Sequence, residues 1–118
     1  MKFSILSACA AVFMLSVGAQ AATECRAPYE PDVPAHFETK DQLMAVYAEV
    51  KDFVTVKSPE FLECLDVMRK EVDSSADDAD AQLAAIDQRH NENVEAQEAV
   101  NNRFKAAYAI WKKEHPEE

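Results

Sequence analysis

Glycine is almost absent from this 118-residue chain, and its single copy, Gly18, lies in the apolar leader. Tight β-hairpin turns need positive backbone dihedrals, which glycine adopts at the lowest cost. Phosphate-binding loops of the nucleotide-binding type also depend on glycine. The shortage therefore excludes glycine-rich phosphate loops and disfavours a fold that is built on β-hairpins.

Long apolar runs are confined to the start of the chain. Lys2 precedes an apolar segment from Phe3 to Val17, and Ala19-Gln20-Ala21 is typical of a signal-peptidase cleavage site. The segment is too short for a transmembrane helix of about 20 residues with the usual flanks. Cys9 has too little apolar sequence before it for a lipoprotein signal. We therefore expect residues 1–21 to be a cleaved signal peptide, and the mature chain to reach the periplasm or be secreted, without a membrane span.

Basic residues are scarce: 12 Lys and Arg stand against 22 Asp and Glu, for a formal charge of −10. This balance argues against nucleic acid and anionic membranes as partners. It permits a basic protein partner, although an acidic surface also serves solubility alone. About 97 residues remain after the leader, which is enough for one small domain with a thin core.

Good helix formers dominate after Thr39. They predict an all-α fold: a long antiparallel helical hairpin of coiled-coil character over residues 39–115, followed by an acidic tail at 116–118. Thr39 and Gln42 form a capping box that begins the first helix. Asp73-Ser74-Ser75 is expected to reverse the chain, with the serines as candidate caps for a second helix from residue 74.

The first helix has one ambiguous point, at Ser58-Pro59. Serine followed by proline can begin a new helix, because proline favours the first helical position. The apolar stripe nevertheless keeps its phase across this dipeptide. We therefore prefer one helix that is kinked at Pro59 to two separate helices. The expected stripe consists of Leu43, Tyr47, Val50, Val54, Phe61, Leu65, Met68 and Val72.

The second helix has basic residues near its expected end at His115, and Pro116 stops it. Its seam should be apolar at both ends and polar in the middle. The expected seam is Leu83, Ile86, His90, Asn93 or Val94, Gln97, Val100, Phe104, Ala107 or Tyr108, and Trp111. Folding about residue 74 would bring Trp111 towards Phe37 and Phe104 towards Met44. One side of the hairpin stays uncovered, so a homodimer is a further expectation.

The segment 22–38 is expected to be an extended arm. Pro28, Pro31 and Pro34 are spaced by three residues, which is the period of polyproline II. A disordered leader is the alternative. The segment also contributes apolar surface through Tyr29, Val33 and Phe37.

Two cysteines, Cys25 and Cys64, remain after the leader, and cysteines of exported proteins usually pair. A helix from residue 40 to residue 64 rises about 36 Å. Polyproline II from residue 25 to residue 40 reaches about 46 Å, whereas a helix would reach about 22 Å. An intramolecular bond therefore requires an extended arm, and would stabilise the fold by roughly 3.5–4 kcal/mol. Intermolecular pairing is the alternative.

Residues suited to chemistry are scattered along the chain. Asp87 and His90 have the spacing of helical metal ligands, but a metal site in a bundle needs several such pairs. The acidic run after Ser75 lacks the glycine and the terminal glutamate of an EF-hand loop. With both cysteines expected in a disulfide, a thiol nucleophile is disfavoured. We predict no catalytic residue, no metal and no cofactor.

Three short motifs resemble those of small exported helical-hairpin proteins of Gram-negative bacteria that have a Cys- and Pro-rich arm. They are Cys25-x-Ala27-Pro28-x-x-Pro31-x-Val33-Pro34, then Phe61-Leu62-x-Cys64-Leu65, then Asn91-x-x-Val94 with Phe104. The resemblance implies the same disulfide and hairpin, and it implies nothing about catalysis.

Two functions of different class remain as expectations. The first is a periplasmic protein-interaction module or stress-related holdase with an unknown protein partner, which is an analogy at the level of the fold. The second is an acidic inhibitor or immunity-type protein that binds a cationic secreted enzyme. The residues expected to matter for structure are Cys25, Cys64, Pro28, Pro31, Pro34, Thr39, Pro59 and Trp111.

Overall fold

A computed structural model describes residues 24–117 of the chain, and this part is all-helical, as predicted. Helix α1 spans Lys40–Asp52, a π-helical segment spans Phe53–Lys57, α2 spans Ser58–Lys70, and α3 spans Ala79–Glu114. No strand occurs between residues 24 and 117. The predicted signal peptide, residues 1–21, lies outside the described residues. None of the helices in the described part is both long and apolar enough to cross a membrane.

Helix α1 begins at the predicted capping residue. The Thr39 hydroxyl accepts a hydrogen bond from the Gln42 backbone N–H at 3.1 Å. The Gln42 side chain accepts a bond in return, from the N–H of Glu38 at 2.7 Å instead of from Thr39. Such a cap satisfies an N–H that has no partner within the helix and is typically worth about 1 kcal/mol.

The helical backbone continues through Ser58-Pro59, and a π-helical segment precedes the proline. The Ser58 N–H donates to the carbonyl of Phe53, five residues earlier. A π segment widens the turn by one residue, so the buried face steps by five from Phe53 to Ser58. The buried positions of the run are Leu43, Val46, Val50, Phe53, Ser58, Phe61 and Leu65.

This extra residue corrects the predicted stripe on the N-terminal side of Pro59. Val46 and Phe53 are buried where Tyr47 and Val54 were expected. Counting back from Phe61 in regular helical steps reaches Tyr47 and Val54, whereas counting through the π segment reaches their neighbours. The stripe on the C-terminal side of Pro59 needs no such correction at Phe61 and Leu65.

The connection between α2 and α3 is longer than predicted and covers residues 71–78. The N–H and the hydroxyl of Ser75 donate to Asp73 Oδ1 at 3.0 and 2.7 Å. These local bonds hold the chain in a turn, so the expectation that Ser74 or Ser75 caps the second helix was wrong. Asp78 precedes α3, and its Oδ1 accepts a bond from Gln82 Nε2 at 2.8 Å.

Two groups of buried apolar side chains lie between the helices. The first, called here the aromatic core, consists of Val33, Phe37, Leu43, Val46, Val50, Phe53, Val100, Phe104, Ala107 and Trp111. The second, called here the disulfide core, consists of Cys25, Phe61, Leu65 and Ile86, with Leu62, Cys64, Met68 and Val72 packed against it. The aromatic core joins α1 to the C-terminal part of α3, and the disulfide core joins α2 to its N-terminal part.

The seam predicted for α3 is buried at Ile86, Val100, Phe104 and Trp111, whereas Leu83 is half-buried and belongs to neither core. Of the alternatives left open, Asn93 is buried rather than Val94, and Ala107 rather than Tyr108. The Phe104 ring meets the rings of Phe37 and Tyr47, each at 5.7 Å between centroids. Tyr47 lies one turn after Met44, the residue towards which Phe104 was expected to lie, and Met44 itself is 52% exposed.

The predicted Cys25–Cys64 disulfide is present, with 5.8 Å between the Cα atoms. The N-terminal segment that contains Cys25 has no regular secondary structure from residue 24 to residue 34. Val33 and Phe37 are buried in the aromatic core, whereas Tyr29 is 95% exposed and adds nothing to packing.

Polar contacts also link this segment to α3. Arg89 Nη2 donates to the Cys25 carbonyl at 2.6 Å, and its guanidinium lies over the Phe61 ring, 5.3 Å from the centroid. Arg103 pairs with Glu30 at 3.4 Å. Exposed ion pairs contribute little, so the half-buried Arg89 is the contact expected to matter.

Candidate functional site: an aromatic groove

An open groove of about 370 Å³ lies between α1 and α3, beside the aromatic core. No residue from the segment 24–38 lines it, whereas that segment lines the cavities around Phe53. The residues lining the groove are Tyr47, Val50, Lys51, Val54, Thr55, Gln97, Glu98, Asn101 and Phe104.

A row of contacting aromatic rings extends from the aromatic core to the surface beside the groove. Phe104 is buried and stacks on Tyr108 at 5.9 Å between centroids, while its other neighbours are Phe37 and Tyr47. Tyr47 is 46% exposed and Tyr108 is 40% exposed. The exposed Met44 lies one turn before Tyr47 on α1. Aromatic side chains of this kind combine a large apolar area with a polar tip, and they are enriched at interfaces.

The π-helical segment explains why these side chains are available. Its extra residue assigns Val46 and Phe53 to the core and leaves Tyr47 and Val54 beside it. Sequence reasoning missed the groove because it assigned Tyr47 and Val54 to the core. The sequence did contain an indication of an exposed apolar surface. Helix α1 has more apolar residues than one packed face requires, and Met44 is one of the extra residues.

Lysines lie in the groove and beyond it on the same face of α3. The lining has one charge of each sign, Lys51 and Glu98. Lys105 is exposed one turn after the lining residue Asn101, and Lys112 Nζ lies 5.4 Å from the centroid of the Tyr108 ring. This face of α3 therefore becomes basic beyond the groove, although the protein as a whole is acidic.

The acidic residues are concentrated elsewhere. Residues 58–95 contain eleven Asp and Glu against three Lys and Arg, a formal charge of −8. Residues 40–57 are balanced, with three of each sign, and residues 96–117 have four basic and three acidic residues. We call residues 58–95 the acidic half. The groove belongs to the other, nearly neutral half.

A buried polar contact separates the two cores. Asn93 Nδ2 donates to Ser58 Oγ at 3.3 Å, and Gln97 Nε2 donates to Asn93 Oδ1 at 2.9 Å. The predicted polar middle of the α3 seam is thus present. Ser58, expected as a turn or cap residue, is instead fully buried within the continuous helical run. Such a satisfied contact favours one alignment of the helices, because any other leaves buried polar groups unpaired.

The histidines have identifiable neighbours. His36 Nε2 lies 2.7 Å from Glu114 Oε1, and the His115 ring stacks on Trp111 at 3.6 Å between centroids. His90 is half-buried, and its spacing partner Asp87 pairs with Arg69. Between residues 24 and 117, no group of three or more His, Cys, Asp or Glu side chains is arranged to hold a metal ion.

Two further features lie at the far end of the molecule from the groove. A cavity of about 290 Å³ is lined by residues of α2, the connection and α3, namely Met68, Glu71, Val72, Gln82, Ala85, Ile86 and Arg89. In the connection, the hydroxyl and the N–H of Ser75 stabilise the Asp73 carboxylate and lower its pKa from the ordinary value of 3.8. The Asp73 side chain is tied to the turn and does not line that cavity.

Comparison with known proteins adds no relative: no protein-family model, curated protein or solved structure matches the chain. The function of the protein therefore has to be inferred from the arrangement of its own side chains.

Proposed function

We propose that this chain is an exported, non-enzymatic helical hairpin that acts in the periplasm as a protein-interaction module, with stress-related holding of unfolding proteins as its role. The observation that carries the proposal is the groove, in which Tyr47 stays half-exposed, together with the half-exposed Tyr108 that stacks on the buried lining residue Phe104. Exposed apolar surface rimmed by polar residues is typical of protein interaction sites.

The hairpin and its arm are supported by the way the cores are shared. In an antiparallel pair of helices, the start of the first packs against the end of the second. The aromatic core contains this kind of packing, because its residues come from α1 and from the C-terminal part of α3. An extended proline-rich arm would explain how Cys25 reaches Cys64 while Phe37 stays in the aromatic core.

Export is supported by the disulfide, because such bonds persist in oxidising compartments. The absence of catalysis is supported by the placement of the ionisable groups. Every Asp and Glu side chain between residues 24 and 117 belongs to an exposed residue, whereas catalytic acids usually owe a shifted pKa to burial. Both described cysteines are bonded, which leaves neither as a nucleophile.

The proposal can be tested by site-specific photo-cross-linking in exported, oxidised protein. A photoreactive phenylalanine at position 47 should give a discrete cross-linked partner, and the same group at the exposed Val67 on α2 should give none. The Tyr108→Glu substitution should abolish the adduct at position 47. Equal labelling at the two positions would overturn the proposal.

The holding role has its own measurement. Light scattering of a thermally unfolding client protein should fall when the oxidised protein is added, with little dependence on salt, because apolar contacts dominate. Tyr47→Ser should remove this protection, and Val67→Ser should not. Protection that survives Tyr47→Ser would mean that another surface is responsible.

The acidic half favours a second candidate, an inhibitor or immunity-type binder of a cationic enzyme. Its eleven carboxylates would attract a basic partner by a field that salt screens. Co-purification of a basic protein that is lost at high salt and is insensitive to Tyr47→Ser would select this candidate over the first.

A further inference from the structure

We infer that the groove receives an amphipathic helix of a partner protein whose apolar stripe is flanked by Glu or Asp. The inference rests on the proposed function and names the chemistry of the partner at that same groove.

The shape of the groove fits a helix. It lies between two helical runs, and its apolar lining recurs at helical spacing: Tyr47 and Val50 on α1, Val54 in the π-helical segment, and Phe104 on α3, with Tyr108 one turn beyond. A third helix packed against two neighbours at about 8–10 Å between axes would cover both rows. Helix-in-groove recognition uses apolar anchors at these spacings.

The charge around the groove selects the sign of the partner. The lining contains Lys51 and Glu98, and the same face of α3 continues beyond it with Lys105, one turn after Asn101, and Lys112, which lies over Tyr108. Carboxylates that flank an apolar stripe would meet these lysines, whereas a basic helix would place like charges together. Opposite charges at a rim guide recognition more than they add affinity.

The net charge of the protein does not cancel this preference. Charges separated by more than about 8 Å are largely screened at physiological salt. From Lys51 to the end of α2 the helical run rises about 28 Å, so the carboxylates near the connection lie several screening lengths away. Of the acidic half, Glu92 and Glu95 are the carboxylates close in sequence to the lining residue Gln97. The local lysines therefore determine what can enter the groove.

The same lysines make a second copy of this chain a poor occupant. A two-fold symmetric dimer places the same patch of each copy against itself. Groove against groove would bring Lys51, Lys105 and Lys112 of both copies into one interface. A partner with carboxylates at its rim avoids this repulsion.

Two designed peptides of about 18 residues, or five helical turns, test the inference. They share one apolar stripe and carry either Glu or Lys on both flanks. Fluorescence anisotropy with the mature, oxidised protein should show the Glu peptide binding roughly tenfold more tightly at low salt. The difference should shrink as salt is raised.

Variants locate the binding. Lys51→Glu combined with Lys112→Glu should reverse the preference between the peptides, and Tyr47→Ser should weaken both. Lys57→Glu is the matched control, because Lys57 is exposed, pairs with Asp52 and lies outside the groove. Circular dichroism of each variant confirms that helix content is kept.

Each outcome has one meaning. Equal binding of the two peptides, or a preference unchanged by the double lysine variant, overturns the inference. The inference also fails if neither peptide binds and sedimentation shows a dimer that Tyr47→Ser dissociates. The occupant of the groove is then a second copy of the chain, and the proposed role of the groove in protein interaction still stands. If no peptide binds, no dimer forms and position 47 gives no cross-link, both the inference and the proposed function fail.

Discussion

The aromatic core and the disulfide core hold the same pair of helical runs together by different means. The aromatic core buries ten residues, five of them Phe, Trp or Leu, and contains no covalent link. The disulfide core buries four, and one of these is Cys25 itself. Where the apolar side chains are few, a covalent bond replaces them. Its expected contribution, about 4 kcal/mol, equals that of burying one or two large side chains.

Charge sharpens the same contrast. Apart from Cys25, the disulfide core belongs to the acidic half, whose excess of eight negative charges opposes compaction. Residues 40–57 and 96–117, which supply eight of the ten side chains of the aromatic core, are nearly neutral and expose aromatic surface. One end of the molecule therefore combines few apolar contacts with a covalent bond, and the other combines many apolar contacts with exposed rings.

Removal of the disulfide should have the largest effect on stability, and this effect should be concentrated in the disulfide core. The double substitution Cys25→Ser and Cys64→Ser removes the bond between two residues that are 39 positions apart. The unfolded chain then gains conformational freedom, so the free energy of unfolding should fall by about 4 kcal/mol. Hydrogen exchange should show that protection around Ile86 falls more than protection around Val100, because the two belong to different cores. A uniform loss along α3 would show that the cores do not differ in this way.

Removal of the ring of Phe37 should come next. This side chain is almost fully buried in the aromatic core and anchors the N-terminal segment there. Phe37→Ala should destabilise the protein by about 3–4 kcal/mol in urea denaturation. Tyr29→Ala is the control in the same segment, and its exposed ring should change stability by less than about 0.5 kcal/mol. Similar effects of the two substitutions would contradict the packing described.

The polar contact between the cores should have an intermediate effect. Asn93→Ala leaves the Ser58 hydroxyl without its buried partner and should destabilise by about 1–3 kcal/mol. Asn93→Leu with Ser58→Ala replaces both partners by apolar groups and should be closer to neutral. Chemical denaturation of Asn93→Leu, of Ser58→Ala and of the double variant measures the coupling. Strict additivity would mean that the contact does not join the two cores.

The smallest effect is expected at Asp73. Its pKa is lowered in the folded state, chiefly by the Ser75 hydroxyl and then by the Ser75 N–H. The ionised group therefore stabilises the turn above the ordinary pKa of 3.8, and this contribution is lost as pH falls through the lowered value. Asp73→Asn should slightly flatten the acid limb of the stability curve, measured by thermal unfolding at a series of pH values. An unchanged acid limb would argue against the bonds to Ser75.

Much of the fold follows from local chemistry that can be read along the chain. The cap at Thr39 depends on residues within four positions of it, and the seam of α3 repeats without interruption from Ile86 to Trp111. The pairing of Cys25 with Cys64 was predicted because these are the two cysteines outside the apolar leader, and because cysteines of a chain expected to be exported usually pair. The bounds of the connection between α2 and α3 were predicted less accurately. Ser75 donates its hydrogen bonds to Asp73 within the turn and does not cap the following helix.

The groove belongs to what tertiary packing alone decided. Val46 and Tyr47 are both apolar enough for a core, as are Phe53 and Val54, so spacing by itself could not choose between them. The choice is made by the π-helical segment before Pro59, which changes the phase of α1 against α3. The amino-acid sequence thus determined the helices, the cap and the disulfide, since these depend on neighbours or on covalent chemistry. Which face of α1 stays exposed was settled only when two helices packed together.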